Sequence, residues 1–147
     1  LFKDFYITKQ LLSTIKSTNK AVQIVGSIFA NENNLQNCLL LNDVKNVIEA
    51  LNGNLFMLKD SILTTPPISE GCLNGIMRKQ IFAFAKEMDI EIQEAPISPF
   101  DLQKADELFV TNVISGIQSI SKYRKKDFEN VLATKLVQFL NQRFNLI

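Results

Sequence analysis

The chain has 147 residues, 46% of them hydrophobic and 11 of them phenylalanine, enough for one domain of ordinary size with a real core. Its 16 basic and 15 acidic residues are interspersed and nearly cancel, which gives no footing to a nucleic-acid or membrane-surface role. Histidine is absent, so histidine chemistry is excluded, and no apolar run approaches the ~20 residues of a membrane span. Cys38 and Cys72 lack metal-ligand spacing and read as free buried thiols of a reducing, cytoplasmic compartment. Leu1 stands where a methionine would open a complete chain, so a missing front is expected.

In chain order, apolar residues at Val22, Ile24, Val25, Ile28 and Phe29 predict a helix from Asn19 to about Asn31, with Ser17, Thr18 and Asn19 as candidate caps. Leu39-Leu40-Leu41 and Val47-Ile48 read as short strands about an Asn42-Asp43 turn. Residues 54–58 and 61–64 follow as a second strand pair about Lys59-Asp60, making an antiparallel meander. A wide apolar face at Ile76, Met77, Ile81, Phe82, Phe84 and Ala85 predicts the main helix over Leu73–Met88. Strand-like alternation over Ile90–Glu94 precedes Ser98-Pro99, a capping serine with proline at the first position of a short helix. Buried strands over Leu108–Asn112 and Ile117–Ile120 lead through the basic turn Lys122–Lys126 to an amphipathic helix over Phe128–Leu140. The class is mixed α+β.

Three stretches have chemical potential. The helix start at Gly75, Ile76 and Met77 presents unpaired N–H groups and the positive end of the helix dipole, a place for an anion such as phosphate, and glycine admits it closely. A plain structural turn explains the same glycine. Lys16, just before the first helix, reads bottom-up as a solvated charge. Glu49 ends an apolar strand, either as an exposed carboxylate or as a buried one in need of a cationic partner.

Taken in order, Lys16, Glu49 with Asn54-Leu55-Phe56, Thr65-Pro66, Gly75-Ile76-Met77-Arg78 and Ala105-Asp106-Glu107 running into Thr111-Asn112 resemble the class IV aminotransferases, fold-type IV enzymes dependent on pyridoxal 5′-phosphate. The resemblance covers nearly the whole chain and implies the larger C-terminal cofactor domain of the D-amino-acid aminotransferase-like fold, an antiparallel-rich sheet or barrel with flanking helices. Residues 1–18 would end the interdomain linker and carry the Schiff-base lysine, 19–147 would form the cofactor-binding domain, and a smaller N-terminal domain would be absent.

On that resemblance Lys16 is the Schiff-base and proton-transfer lysine, its amine favoured in neutral form by a partly desolvated site. Glu49 faces the pyridine nitrogen. Gly75, Ile76 and Met77 hold the 5′-phosphate through backbone N–H groups, and Thr111 and Asn112 line cofactor or substrate. Arg78 is expected to pair with a carboxylate rather than touch substrate. A homodimer acting on an amino-acid-like small molecule is implied, with no nucleic-acid or membrane partner. Residues 1–147 alone would bind cofactor weakly and turn over little, because the absent domain contributes a phosphate-binding arginine. Within the family, Ala21, Asn74, Met77 and Val113 resemble the aminodeoxychorismate lyases more than the transaminating members. A branched-chain or D-amino-acid aminotransferase is the alternative, and a noncatalytic binding or scaffold domain the alternative from another class.

Overall fold

Two apolar strands organise the computed structural model, which describes residues 1–146; Ile147, the end of the domain expected over 19–147, lies outside them. β3 (Gly53–Lys59) and β6 (Glu107–Asn112) pair antiparallel from Asn54–Thr111 to Leu58–Glu107. Their continuous runs LFML and LFV reflect burial on both faces. Alternation along each strand sends Leu55, Met57, Leu108 and Val110 into one core and Phe56 and Phe109 into another. Phe56 and Phe109 stack with ring centroids 5.1 Å apart, and burying each ring contributes about 1.5–3 kcal/mol.

The expected meander is present. β1 (Leu39–Leu41) pairs with β2 (Val47–Ala50), β2 with the start of β3, and the end of β3 with β4 (Ile62–Thr65), all antiparallel. β2 and β4 therefore share one edge of β3, while β6 takes the whole of the other. β5 (Ile92–Glu94) joins β4 in parallel, and β7 (Gly116–Ser119) extends β6. Just past β5, Ile97 bridges back to Val47 of β2, so the sheet curls around the first core. β8 (Lys122–Tyr123) and β9 (Lys126–Asp127) form a two-residue hairpin in place of the simple basic turn, with Arg124 at φ 56°.

Three helices cover this sheet. α1 (Ala21–Glu32) packs Ala30 with Phe2, Leu40 and Ile48 in a third core. α2 (Ile76–Glu87) and α3 (Val131–Phe144) bury Ile81, Phe84, Leu136 and Leu140 against Phe56 and Phe109. The sequence places all three helices, but their starts differ. None of Ser17, Thr18 and Asn19 caps α1, whose N-cap is Lys20, because the turn made by the Lys20 N–H on the Thr18 carbonyl delays the helix. α2 begins three residues later than expected, with Gly75 as N-cap, since residues 71–75 run as irregular chain under β3. The serine–proline helix reduces to a turn and a 3-10 segment, Asp101–Lys104, in which Ser98 and Asp101 exchange hydrogen bonds. α3 gains its first-turn cap from across the fold: Glu107 accepts the Leu132 N–H at 2.8 and 3.0 Å and the Ala133 N–H at 3.1 Å.

Candidate active site

One cleft of about 150 Å³ gathers most of the residues singled out in the sequence: Lys16, Gly75, Ile76, Met77, Thr111 and Asn112 all line it. The topology explains the convergence. The Asn54–Thr111 pair is the last full rung of the β3–β6 ladder, and the start of α2 lies directly over it. Asn54 fastens the two levels, its Nδ2 donating to the Leu73 carbonyl at 2.7 Å.

Contrary to the expectation from the sequence, the glycines do not open room for an anion; they let the walls of the cleft close on one another. A Cβ on Gly75 would stand 2.1 Å from Asn54 Oδ1, and one on Gly53 would stand 2.6 Å from the Thr111 carbonyl oxygen. The N-terminus of α2 carries no side-chain cap, so its first N–H groups are free to meet a ligand. Thr111 is only 1% exposed, yet its hydroxyl has no hydrogen-bond partner. An orphaned buried hydroxyl and uncapped helix N–H groups at one cleft suit a phosphate, which accepts hydrogen bonds from every side. The donor set therefore fits the phosphate end of pyridoxal 5′-phosphate, with Lys16 lining the same cleft. Asn112 divides its functions: its Oδ1 accepts the N–H groups of Ile114 and Ser115 at 2.9 and 2.8 Å, fixing the β6–β7 turn, and leaves the amide nitrogen for the cleft.

Glu49 stands behind the cleft, 5% exposed. It is a buried carboxylate, but its direct partners are not cations: the Leu73 N–H donates to Oε2 at 2.8 Å and Gln23 Nε2 to Oε1 at 3.2 Å. Burial pushes its carboxyl above the ordinary glutamate range, and the Leu73 N–H, the charge of Lys20 and Gln23 offset part of that rise. Lys16 departs from expectation. Its side chain is exposed, and the partial desolvation expected around its amine is not supplied by these residues, because Leu11, Leu12 and Ile15 beside it are turned to solvent as well.

Arg78 behaves as expected of a carboxylate partner. It is buried below the cleft, bonded to Glu94 and, at 3.0 Å, to the Pro66 carbonyl. Both cysteines are free and buried, and burial pushes the Cys72 thiol up to about 12. The cleft also contains Asn52, Gly53, Asn54, Leu73 and Asn74, which sequence reasoning did not assign to it. The Asn54-Leu55-Phe56 motif carried the signal, since an asparagine opening an apolar strand needs a polar partner.

Comparison with known proteins agrees with this architecture. The model of the family described as "Amino-transferase class IV" matches residues 3–123. The D-alanine aminotransferase of Listeria monocytogenes is 31% identical over 118 residues, 78% of this chain and 41% of its own length. The solved 4-amino-4-deoxychorismate lyase of Pseudomonas aeruginosa superposes with a TM-score of 0.86 at 23% identity, over 93% of this chain and 52% of its own. The solved branched-chain aminotransferase of Escherichia coli gives 0.89 at 23% identity, over 95% and 49%. The chain thus spans about half the length of the proteins it matches, and the two structural likenesses speak for the fold. With the family model matched over most of its length, this chain belongs to the class IV aminotransferases.

Proposed function

We propose that this chain is the cofactor-holding part of a pyridoxal-phosphate-dependent enzyme of this family. The observation that carries the reading is the cleft lined by Lys16, the uncapped start of α2 and Thr111, whose buried hydroxyl is unpartnered. The Ile76 and Met77 N–H groups and the Thr111 hydroxyl would hold the phosphate, and Gly75 and Gly53 would let Asn54 and the Thr111 backbone close in beside it. Asn112 would offer its amide nitrogen at the cleft's edge. Glu49, raised by burial, would share a proton with the ring nitrogen. When bound, the cofactor supplies an electron sink for charge developing at a substrate α-carbon. Lys16 would take the proton from that carbon.

Between the reactions open to the family, we favour 4-amino-4-deoxychorismate lyase, yielding pyruvate and 4-aminobenzoate, with Lys16 handing its proton to the departing enolpyruvyl group. The support is the Asn74-Gly75-Ile76-Met77-Arg78 helix start together with Ala21 and Val113. Amino-group exchange on a branched-chain or D-amino acid is the second reading, favoured by the 31% identity to a D-alanine aminotransferase. Either would act in the cytoplasm, where two free thiols stay reduced, and as a homodimer completed by a further domain of the same protein.

The test is to load the protein that contains this chain with pyridoxal 5′-phosphate, reduce with borohydride and map the modified peptide. Label on Lys16 is the expected result, followed by pyruvate and 4-aminobenzoate from 4-amino-4-deoxychorismate. Amino exchange with a keto acid would move the assignment to the aminotransferases. Lack of label on Lys16 would overturn the enzymatic reading in favour of a noncatalytic domain.

A further inference from the structure

Glu70 is a buried carboxylate that the chemistry above does not use. It is 6% exposed and sits in the short 3-10 turn Ile68–Glu70, six residues before the start of α2. Three side chains from two other segments converge on it. Lys9 Nζ donates to Oε1 at 2.7 Å, and Asn42 Nδ2 and Asn46 Nδ2 donate to Oε2 at 2.7 and 2.8 Å. Asn42 also reaches the Glu70 carbonyl at 3.1 Å, and its Oδ1 accepts the Asn46 N–H at 2.9 Å. The asparagines lie in the β1–β2 loop, fixed to the sheet, so Glu70 joins that frame to Lys9.

Lys9 belongs to the segment that carries Lys16, and little else holds that segment down. Ile7 is bound into the sheet through its N–H on the Leu41 carbonyl, 2.9 Å. Beyond it, Leu11 is 76% exposed and Leu12 69%, so apolar packing does not fix the path. What fixes it is polar and faces one stretch, Glu70–Asn74. Gly71, at φ +96°, lies so close beneath the segment that a Cβ there would meet Ser13 Oγ at 3.1 Å and the Thr8 carbonyl oxygen at 3.3 Å. The Asn74 N–H then donates to the Thr14 carbonyl at 2.9 Å, two residues before Lys16. The same stretch runs on into Gly75 and the free N–H groups of α2.

We infer that Glu70 is a positioning residue: through its pair with Lys9 it sets the Lys16 segment against the stretch that leads into the phosphate cradle, fixing the distance between amine and anion site. The role rests on the reading of Lys16 given above. A hydrogen-bonded charge pair with one partner buried is strong enough to bias a short exposed segment. Its partner Lys9 is partly exposed, so Lys9 can be changed without opening the core.

The test uses the protein that contains this chain, with Lys9→Met, Lys9→Arg and Glu70→Gln. Two readouts are taken: amide exchange at Ser13 and Asn74 without added cofactor, and the rate at which pyridoxal 5′-phosphate labels Lys16 after borohydride reduction. Lys9→Met and Glu70→Gln are expected to exchange about tenfold faster at both amides and to label Lys16 about tenfold more slowly, the size of one charged hydrogen bond. Lys9→Arg restores both. Parent-like exchange in Lys9→Met overturns the tether. Parent-like labelling at Lys16 despite faster exchange overturns the positioning role while leaving the cofactor reading intact. An unlabelled Lys16 in the parent overturns the cofactor reading and the positioning role with it, while the exchange contrast still decides whether the tether exists.

Discussion

Replacing Gly75 by alanine tests the shape of the cleft directly. The backbone at Gly75, φ −69° and ψ 146°, is one that alanine adopts freely, so no conformational penalty arises. The cost comes from Asn54, whose Oδ1 would lie 2.1 Å and whose Cγ would lie 3.3 Å from the new Cβ. Relief requires the amide to move on the order of 1 Å, to reach ordinary contact. Asn54 is 3% exposed and bonded to the Leu73 carbonyl at 2.7 Å, so it cannot move without giving up that bond. A buried hydrogen bond broken in this way costs about 1–3 kcal/mol, and the residual overpacking a further amount of about 1–3 kcal/mol. Gly75→Ala should therefore lower stability by about 2–6 kcal/mol, read as a fall in the urea midpoint at constant slope. Asn54→Ala removes both the bond and the obstruction, so the double variant should be no less stable than Asn54→Ala alone. The expected coupling is thus negative and large for two touching residues. A Gly75→Ala protein within about 0.5 kcal/mol of the parent, or simple additivity in the double variant, would refute the argument.

Glu107→Ala strips the cap from α3 and leaves the Leu132 and Ala133 N–H groups without their carboxylate, a loss of about 2–3 kcal/mol in urea unfolding, with Glu107→Gln losing less because one oxygen remains. Glu49→Gln should stabilise the cofactor-free protein at neutral pH. A carboxyl raised by burial binds its proton more tightly folded than unfolded, so the parent loses stability as pH climbs from the ordinary glutamate value, about 4.3, through the raised one. Stability curves of parent and variant measured from pH 3 upward, on the order of the carboxylate range, should diverge only above that point; curves that stay parallel would remove burial as the cause.

Most of the architecture was legible because burial on both faces writes itself into composition. LFML and LFV are short apolar runs bounded by turn residues, which suits strands with apolar neighbours above and below, and the 3.6-residue spacing of Ile81, Phe84 and Ala85 fixes the face of α2. Helix starts were less legible. Ser17, Thr18 and Asn19 look like caps, yet the chain turns on the Thr18 carbonyl instead, a choice made by tertiary position and not by side-chain preference. The site divides the same way. Gly75, Ile76 and Met77 could be singled out from local physics, whereas Lys16 and Thr111 were marked by the family resemblance alone, and a ladder rung and a distant loop bring them to one cleft. Asn54 and Glu70 were missed as partners because each acts through contacts 19 to 61 residues away in sequence.

The stability cost of the cleft is itself an argument about its purpose. Three buried polar side-chain atoms among the described residues lack partners: Arg78 Nε, Tyr123 Oη and Thr111 Oγ1. Only Thr111 lines the cleft. Leaving such a group unpaired costs about 1–3 kcal/mol, and a valine of nearly the same shape would remove that cost at no loss of strand propensity. The two cores on either side of β3 and β6 offset these losses, because Phe56, Leu55, Phe109 and Leu108 are fully buried within a few residues of the site. Stability is thus concentrated in the strands and withheld at their ends. A site optimised for folding alone would close over the Asn54–Thr111 rung. This one leaves a buried hydroxyl without a partner at that rung and the first N–H groups of α2 uncapped beside it, and proteins break such local rules mostly at functional sites.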